Sequence, residues 1–222
     1  MINHKDIIQK SEAWHELKHG KIGGTLSKGL FTKGDTLFID ILSQRIDPFN
    51  AFDEDEAMGG YETGSMARGN DLEPLAGEYI SEYTGLTFVD SGWLQSEQNE
   101  LLGISPDGIT EDETVSFEAK CPNRKKHTET LLNNEIPLDN INQCVHYFTV
   151  NSKLEKLYFI SFRPESIRHF IKCLTLDSSV NMGTKAKPVI KTVSEWVKLE
   201  HENADLLLDK IIAAEENLKQ TI

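Results

Sequence analysis

The chain has no apolar run near the roughly 20 residues that a membrane-crossing helix needs, which excludes a transmembrane span. Its first residues, Met1-Ile2-Asn3-His4-Lys5-Asp6, lack the apolar stretch of a secretory signal, so an intracellular protein is expected. Cysteine is scarce and odd in number. Cys121, Cys144 and Cys173 stand far apart and match no C-x-x-C, zinc or iron–sulfur spacing, so they read as reduced thiols. Positive charge is in deficit too. Lys and Arg total 23 against 36 Asp and Glu, a formal net charge of −13, which argues against a protein that coats nucleic acid by bulk charge. That balance leaves open an enzyme that grips nucleic acid in a locally basic channel and uses carboxylates to hold metal. No internal repeat or low-complexity tract interrupts the chain.

What is present suits one domain over 1–222: 222 residues, 38% of them hydrophobic and 27% charged, enough for a core. Ser11 caps a helix that ends near Gly20, and Gly23-Gly24-Thr25 forms a polar turn after it. Leu37, Ile41 and Leu42 have helical spacing. Asp47 to Gly60, with Asp-Glu-Asp-Glu at 53–56, reads as an exposed loop. Residues 66–83 form a helix by period, with Pro74 in its first turn or at a kink. Strands are predicted at 87–94, 101–104 and 114–120, the last two joined as a hairpin through Glu111-Asp112-Glu113. A helix through Ile141, Cys144, Val145 and Phe148 starts at Asp139 or Asn140. Strands at 157–162 and 169–176 follow, and then a long helix at about 194–220. The order predicts an α/β (α+β) fold with a central mixed β-sheet flanked by helices.

The strongest chemical signal is Ser105-Pro106-Asp107-Gly108, followed by Glu118-Ala119-Lys120. Alternation along a strand puts Glu118 and Lys120 on one face and Phe117 and Ala119 on the other. The hairpin brings Asp107 near Glu118, and two close carboxylates call for a hard cation such as Mg²⁺, with the Ala119 carbonyl as a further ligand. A lysine beside them positions a water and stabilises charge on a phosphate, which is the chemistry of phosphodiester hydrolysis. A plain D-G turn beside a solvated strand face fits these residues equally well. Taken singly, Glu73 reads as a helix-terminal acid and Gln143 as a surface amide. His146 and Tyr147 read as packing or channel residues, Trp14 as core, and Arg124-Lys125-Lys126 as a basic run suited to backbone phosphates.

The order Ser105-Pro106-Asp107-Gly108 … Glu118-Ala119-Lys120-Cys121-Pro122 resembles the PD-(D/E)xK nuclease superfamily. More narrowly it is similar to the YqaJ-like viral recombinase group that includes phage lambda exonuclease. Arg68-Gly69-Asn70-Asp71-Leu72-Glu73-Pro74 resembles the upstream R-G-x-x-x-E-P helix of that group. Gln143 matches its active-site glutamine, and Trp14 … Lys18 … Thr25 resembles its N-terminal W-x-x-x-R-x-G-x-I-x-x-S segment. The resemblance implies a restriction-endonuclease-like core. It implies that Asp107, Glu118 and the Ala119 carbonyl bind Mg²⁺, with Mn²⁺ as a substitute and two ions in all. Glu73 would line the second metal position, Lys120 orient the attacking water, and Gln143 hold Lys120 or that water. Lys18, Thr25 and Arg68 would meet the 5′-phosphate and, with Arg124, Lys125 and Lys126, the DNA backbone; lysine in place of arginine loses the bidentate fork. The implied activity is 5′-to-3′ exonuclease digestion of double-stranded DNA ends to 5′-mononucleotides, leaving 3′ overhangs for phage-type recombination. The implied setting is a trimeric ring in the cytoplasm of a bacterial host, beside a single-strand annealing protein. An endonuclease or repair nuclease of the same superfamily, or an inactive DNA-end-binding protein, is the alternative.

Overall fold

Apolar residues on both faces of a central sheet organise the molecule. In the computed structural model, which describes residues 1–50 and 64–220, the order is β1 (Ile2–Asn3), α1 (Glu12–Lys18), a 3-10 helix (Ser27–Phe31), α2 (Thr36–Ile46), α3 (Gly64–Thr84), β2 (Leu94–Gln95), β3 (Gly103–Ile104), β4 (Gly108–Ile109) and β5 (Val115–Lys120). It continues with α4 (Arg124–Asn133), α5 (Leu138–Val150), β6 (Lys156–Ser161), β7 (Phe170–Leu174), β8 (Ser179–Asn181), β9 (Ile190–Thr192) and α6 (Val193–Gln220). The central sheet runs β4-β5-β6-β7. It is mixed: β5 and β6 are parallel, joined by the α4–α5 crossover, and both outer pairings are antiparallel. Smaller antiparallel sheets are formed by β1-β2-β3 and β8-β9.

Helices cover both faces of the central sheet. Phe117 and Ala119 of β5, with Ile160 and Phe162, pack on Ala76 and Ile80 of α3. Leu157 and Phe159 of β6 face the other way and join Val145, Tyr147 and Phe148 of α5 in the larger core. Each such side chain contributes about 1.5–3 kcal/mol on burial, and together they hold β5 rigid between two layers. The long helix α6 docks on α5, α2 and the 3-10 helix. Its expected apolar stripe is buried at Ala204 and Ile211, half-buried at Leu207 and Leu208, and exposed at Leu218.

Two local expectations are corrected, that for Pro74 is narrowed, and the basic run gains a defined structure. The hairpin partner of β5 is Gly108–Ile109, with Gly108 opposite Phe117, whereas residues 103–104 pair with β2 in another sheet. Of the two places left for Pro74 the first turn is excluded: it lies inside α3, which therefore carries one missing i→i−4 bond at its middle. The stretch 87–94 makes a single bridge, Val89 to Ile109, before joining β2 at Leu94. The basic run Arg124-Lys125-Lys126 is the first turn of a helix, capped by Asn123, whose side chain accepts from the Lys126 N–H at 3.0 Å. The acidic stretch Asp53 to Glu56 lies outside the described residues. Among the described residues no helix is long and apolar enough to cross a membrane.

Candidate active site

The site is built where β4 enters and β5 leaves the central sheet. Asp107 immediately precedes β4, and its Oδ2 accepts the Ala119 backbone N–H at 2.6 Å. Gly108 permits this approach: a Cβ there would lie 2.2 Å from the ring of Phe117. Glu118 is buried on the α5 side of β5, with 1% of its surface exposed. Its Oε2 accepts the Tyr147 hydroxyl at 2.6 Å. Its Oε1 faces the Lys120 ammonium as an ion pair but receives no hydrogen bond of regular geometry. Glu73 comes from α3, close enough for its charge to act on Asp107, and it lies 3.9 Å from the Lys10 ammonium.

These charges set one another's protonation. Burial pushes Asp107 well above the usual carboxylate range, and the neighbouring Glu118 and Glu73 push it the same way. Lys120 shows the opposite balance. Burial works against its charge, but Glu118 and Asp107 outweigh it and hold the ammonium above its ordinary value. Cys121, the next residue, is pushed up to about 11 by burial and by Glu73 and Asp107, so it stays a thiol. Tyr147 is raised by burial and by Glu118, which keeps its hydroxyl a donor.

Beside Lys120 opens a cavity of about 190 Å³ lined by Gly24, Thr25, Lys28, Asp139, Asn140, Asn142 and Gln143 as well as Lys120 itself. The glycine turn is pressed against the site helix: a Cβ on Gly24 would stand 2.8 Å from Gln143 Cγ and 2.9 Å from Ile104 Cδ1. Thr25 and Gln143 are thus brought together with Lys120, as their positions in the motifs led one to expect. Lys18 is not among the lining residues. Its ammonium sits 3.9 Å from the centroid of the Trp14 ring, which is half-buried and not core, and burial lowers its pKa. Trp14 in turn donates its indole N–H to Ser105 Oγ at 2.7 Å, so α1 is tied to the Ser105-Pro106-Asp107 segment. The cation that reaches the cavity from the N-terminal segment is Lys28, which lies 4.0 Å from Asp139.

Arg68 grips Glu165 with two hydrogen bonds of 3.0 and 2.9 Å, and Arg163 pairs with the same carboxylate at 3.2 Å. Arg163 also donates to the Pro122 carbonyl at 3.0 Å, just past the end of β5. Arg124, Lys125 and Lys126 are exposed on the first turn of α4, four to six residues after Lys120. Tyr147, Lys28 and Arg163 were not singled out for the site from the sequence. Tyr147 had a legible signal: it lies four residues after Gln143, hence on the same face of α5.

Among the described residues no three ligand side chains stand close enough to cage a metal ion as they are. The donor set fits a hard divalent cation nonetheless. Three carboxylates of mutually repelling charge converge, all oxygen donors, and the buried Glu118 Oε1 has no regular hydrogen-bond donor. An acid beside a two-residue strand, an acid and a lysine alternating on the next strand, and a mixed sheet between helices make up a PD-(D/E)xK-like fold.

The comparisons with known proteins narrow this. The chain belongs to the family described as YqaJ-like viral recombinase domain, which matches residues 13–153. The crystal structure of an alkaline exonuclease (LHK-Exo) from Laribacter hongkongensis is similar with a TM-score of 0.72 and 20% identity, covering 95% of this chain and 97% of its own. The structure of LHK-Exo in complex with dAMP gives 0.70 and 21% over the same shares. At these identities the likeness establishes the fold. A comparison with curated protein sequences returns no significant match.

Proposed function

We propose that the chain is a Mg²⁺-dependent exonuclease that digests double-stranded DNA from its ends in the 5′-to-3′ direction. Its products are 5′-mononucleotides and a 3′ single strand for recombination. The single observation that carries the reading is the convergence of Glu73 and Glu118 on Asp107, beside Lys120, which itself lines the cavity. Membership of the viral recombinase family supports it, and so does the likeness to an exonuclease crystallised with dAMP, a nucleoside monophosphate.

In this reading Asp107, Glu118 and the Ala119 carbonyl hold Mg²⁺, with Glu73 toward a second ion. The bound metal supplies Lewis-acid polarisation of the scissile phosphate and a nucleophilic water at neutral pH. Lys120 stays protonated, so it orients the attacking water and offsets negative charge on the phosphoryl oxygens. Gln143, which lines the same cavity as Lys120, holds Lys120 or that water in place. Thr25 and Lys28 hold the terminal phosphate, Lys28 taking the part that the motif gave to Lys18. Arg68, Arg124, Lys125 and Lys126 track the backbone as sequence-independent phosphate contacts. A trimeric ring around the duplex, a single-strand annealing partner and a cytoplasmic setting complete the proposal; a ring would keep acidic charge outside and basic groups facing the DNA.

The test is digestion of linear duplex DNA labelled at either the 5′ or the 3′ terminus, with a closed circle as control. The expected result is early release of the 5′ label as mononucleotide and an intact circle. Early release of the 3′ label overturns the polarity, and cutting of the circle replaces the exonuclease with an endonuclease.

A further inference from the structure

The two oxygens of Glu118 have different surroundings. Oε2 is tied to the Tyr147 hydroxyl at 2.6 Å, and Oε1 has only the Lys120 ammonium beside it. Glu118 lies within β5 and is almost fully buried, so its carboxylate has no water to satisfy an abandoned oxygen. Tyr147 is equally buried, at 1% exposure, and is fixed by the packing of α5 against β6 in the larger core. Its hydroxyl has one other neighbour, the Phe117 carbonyl at 3.4 Å, too long to compete with the carboxylate. A buried phenol held by a core helix is a rigid donor. Its bond selects one orientation of the Glu118 carboxylate and leaves Oε1 turned toward Lys120 and the neighbouring acids.

We infer that Tyr147 is a positioning residue: its hydroxyl anchors Glu118 Oε2 so that Oε1 is presented to the catalytic metal. The inference rests on the metal-dependent reading above and deepens it by assigning the partner that orients a ligand. Gln143 and Tyr147, four residues apart on one face of α5, then divide the work. One faces the cavity, while the other fixes the carboxylate behind it.

The experiment compares the parent, Tyr147→Phe and a control, Val145→Ala, which thins the same buried helix without touching Glu118. Phenylalanine keeps the ring and removes only the hydroxyl. The probe is Mn²⁺ alone, titrated by calorimetry in the absence of DNA. The expected result is a loss of about 10- to 100-fold in Mn²⁺ affinity for Tyr147→Phe, the range typical of groups that orient metal ligands, with parent affinity in Val145→Ala. The metal-induced rise in melting temperature gives a second reading that tolerates a less stable variant, because each protein is its own reference. Parent-like Mn²⁺ affinity and thermal shift in Tyr147→Phe would overturn the inference. An equal loss in Val145→Ala would overturn it too, by reducing Tyr147 to packing. If the parent itself binds no Mn²⁺, the metal reading fails before Tyr147 is tested, so the two failures are distinguishable.

Discussion

Asp107 carries the clearest conflict between stability and chemistry in the molecule. Its carboxyl is half-buried beside Glu118 and Glu73, and lost solvation together with their charge raises its pKa. A group whose folded pKa lies above its unfolded value destabilises the fold as pH rises from the unfolded value through the folded one. Every tenfold by which folding weakens the acid costs about 1.4 kcal/mol once the pH exceeds both values. Removing the ionisable group should therefore stabilise the metal-free protein. Asp107→Asn keeps an oxygen for the Ala119 N–H and drops the charge. In metal-free buffer at pH 8 the variant should melt higher than the parent, by about 2–4 °C per kcal/mol for a chain of this size, and the gain should shrink toward pH 4. A thermal melt at both pH values checks this; a lower melting temperature at pH 8 would show that the carboxylate is already compensated without metal. Cleavage should be lost in the same variant, since the residue that strains the fold is the one the chemistry needs.

The helices α5 and α6 show what holds the site from behind. His146, next to Tyr147, is fully buried, with Nδ1 at 2.5 Å from Glu200 Oε1 and Nε2 at 2.9 Å from the Gly103 carbonyl. Glu200 Oε2 accepts from Thr149 at 2.8 Å, so both of its oxygens are satisfied. Burial lowers the His146 pKa, but Glu200 reverses this and raises it. The stabilising effect is thus complete below about pH 6.5 and fades as pH rises through the folded value. Glu200→Gln should cost about 3–5 kcal/mol near pH 6, as expected for breaking a buried pair. The gap between variant and parent in urea melts should narrow at higher pH, and a gap independent of pH would contradict the ionic reading. Elements of this length were legible because their periods are long. The Ser11 cap, the α2 spacing and the α6 stripe all follow from apolar residues at three and four positions. Two-residue strands carry no such period. The apolar pair Leu101 and Leu102 drew the hairpin to the wrong partner, whereas the true one, β4, is too short to announce itself. Local rules leave Pro74 a helix start or a kink, and the packing of Ala76 and Ile80 on β5 keeps it inside the helix. The nearness of Asp107, Glu118 and Lys120 was legible because they sit close in sequence around one turn. Tyr147 shares a helix face with Gln143, which the sequence states, but its bond to Glu118 and the place of Lys28 arise only through long-range packing.

At the scale of the whole molecule, a net charge of −13 must be reconciled with a partner that is itself a polyanion. Lys28, Lys120 and the first turn of α4 supply cations at or just beyond the cavity, and many of the remaining basic side chains are paired: Arg45 with Glu215 and Glu100, Lys153 with Glu113, Lys210 with Asp35. In the proposed reading local placement rather than total charge brings DNA to the acids, and a divalent cation would let phosphate approach the three carboxylates. The most direct measurement is nucleotide release from linear duplex DNA by the parent and by Lys120→Ala, each with Mg²⁺ and with chelator. The account predicts release by the parent in Mg²⁺ only, and a loss of at least about 100-fold in Lys120→Ala at unchanged folding, in line with removal of a group that stabilises developing charge. Release by the parent in chelator, or parent-like release by Lys120→Ala, would contradict it.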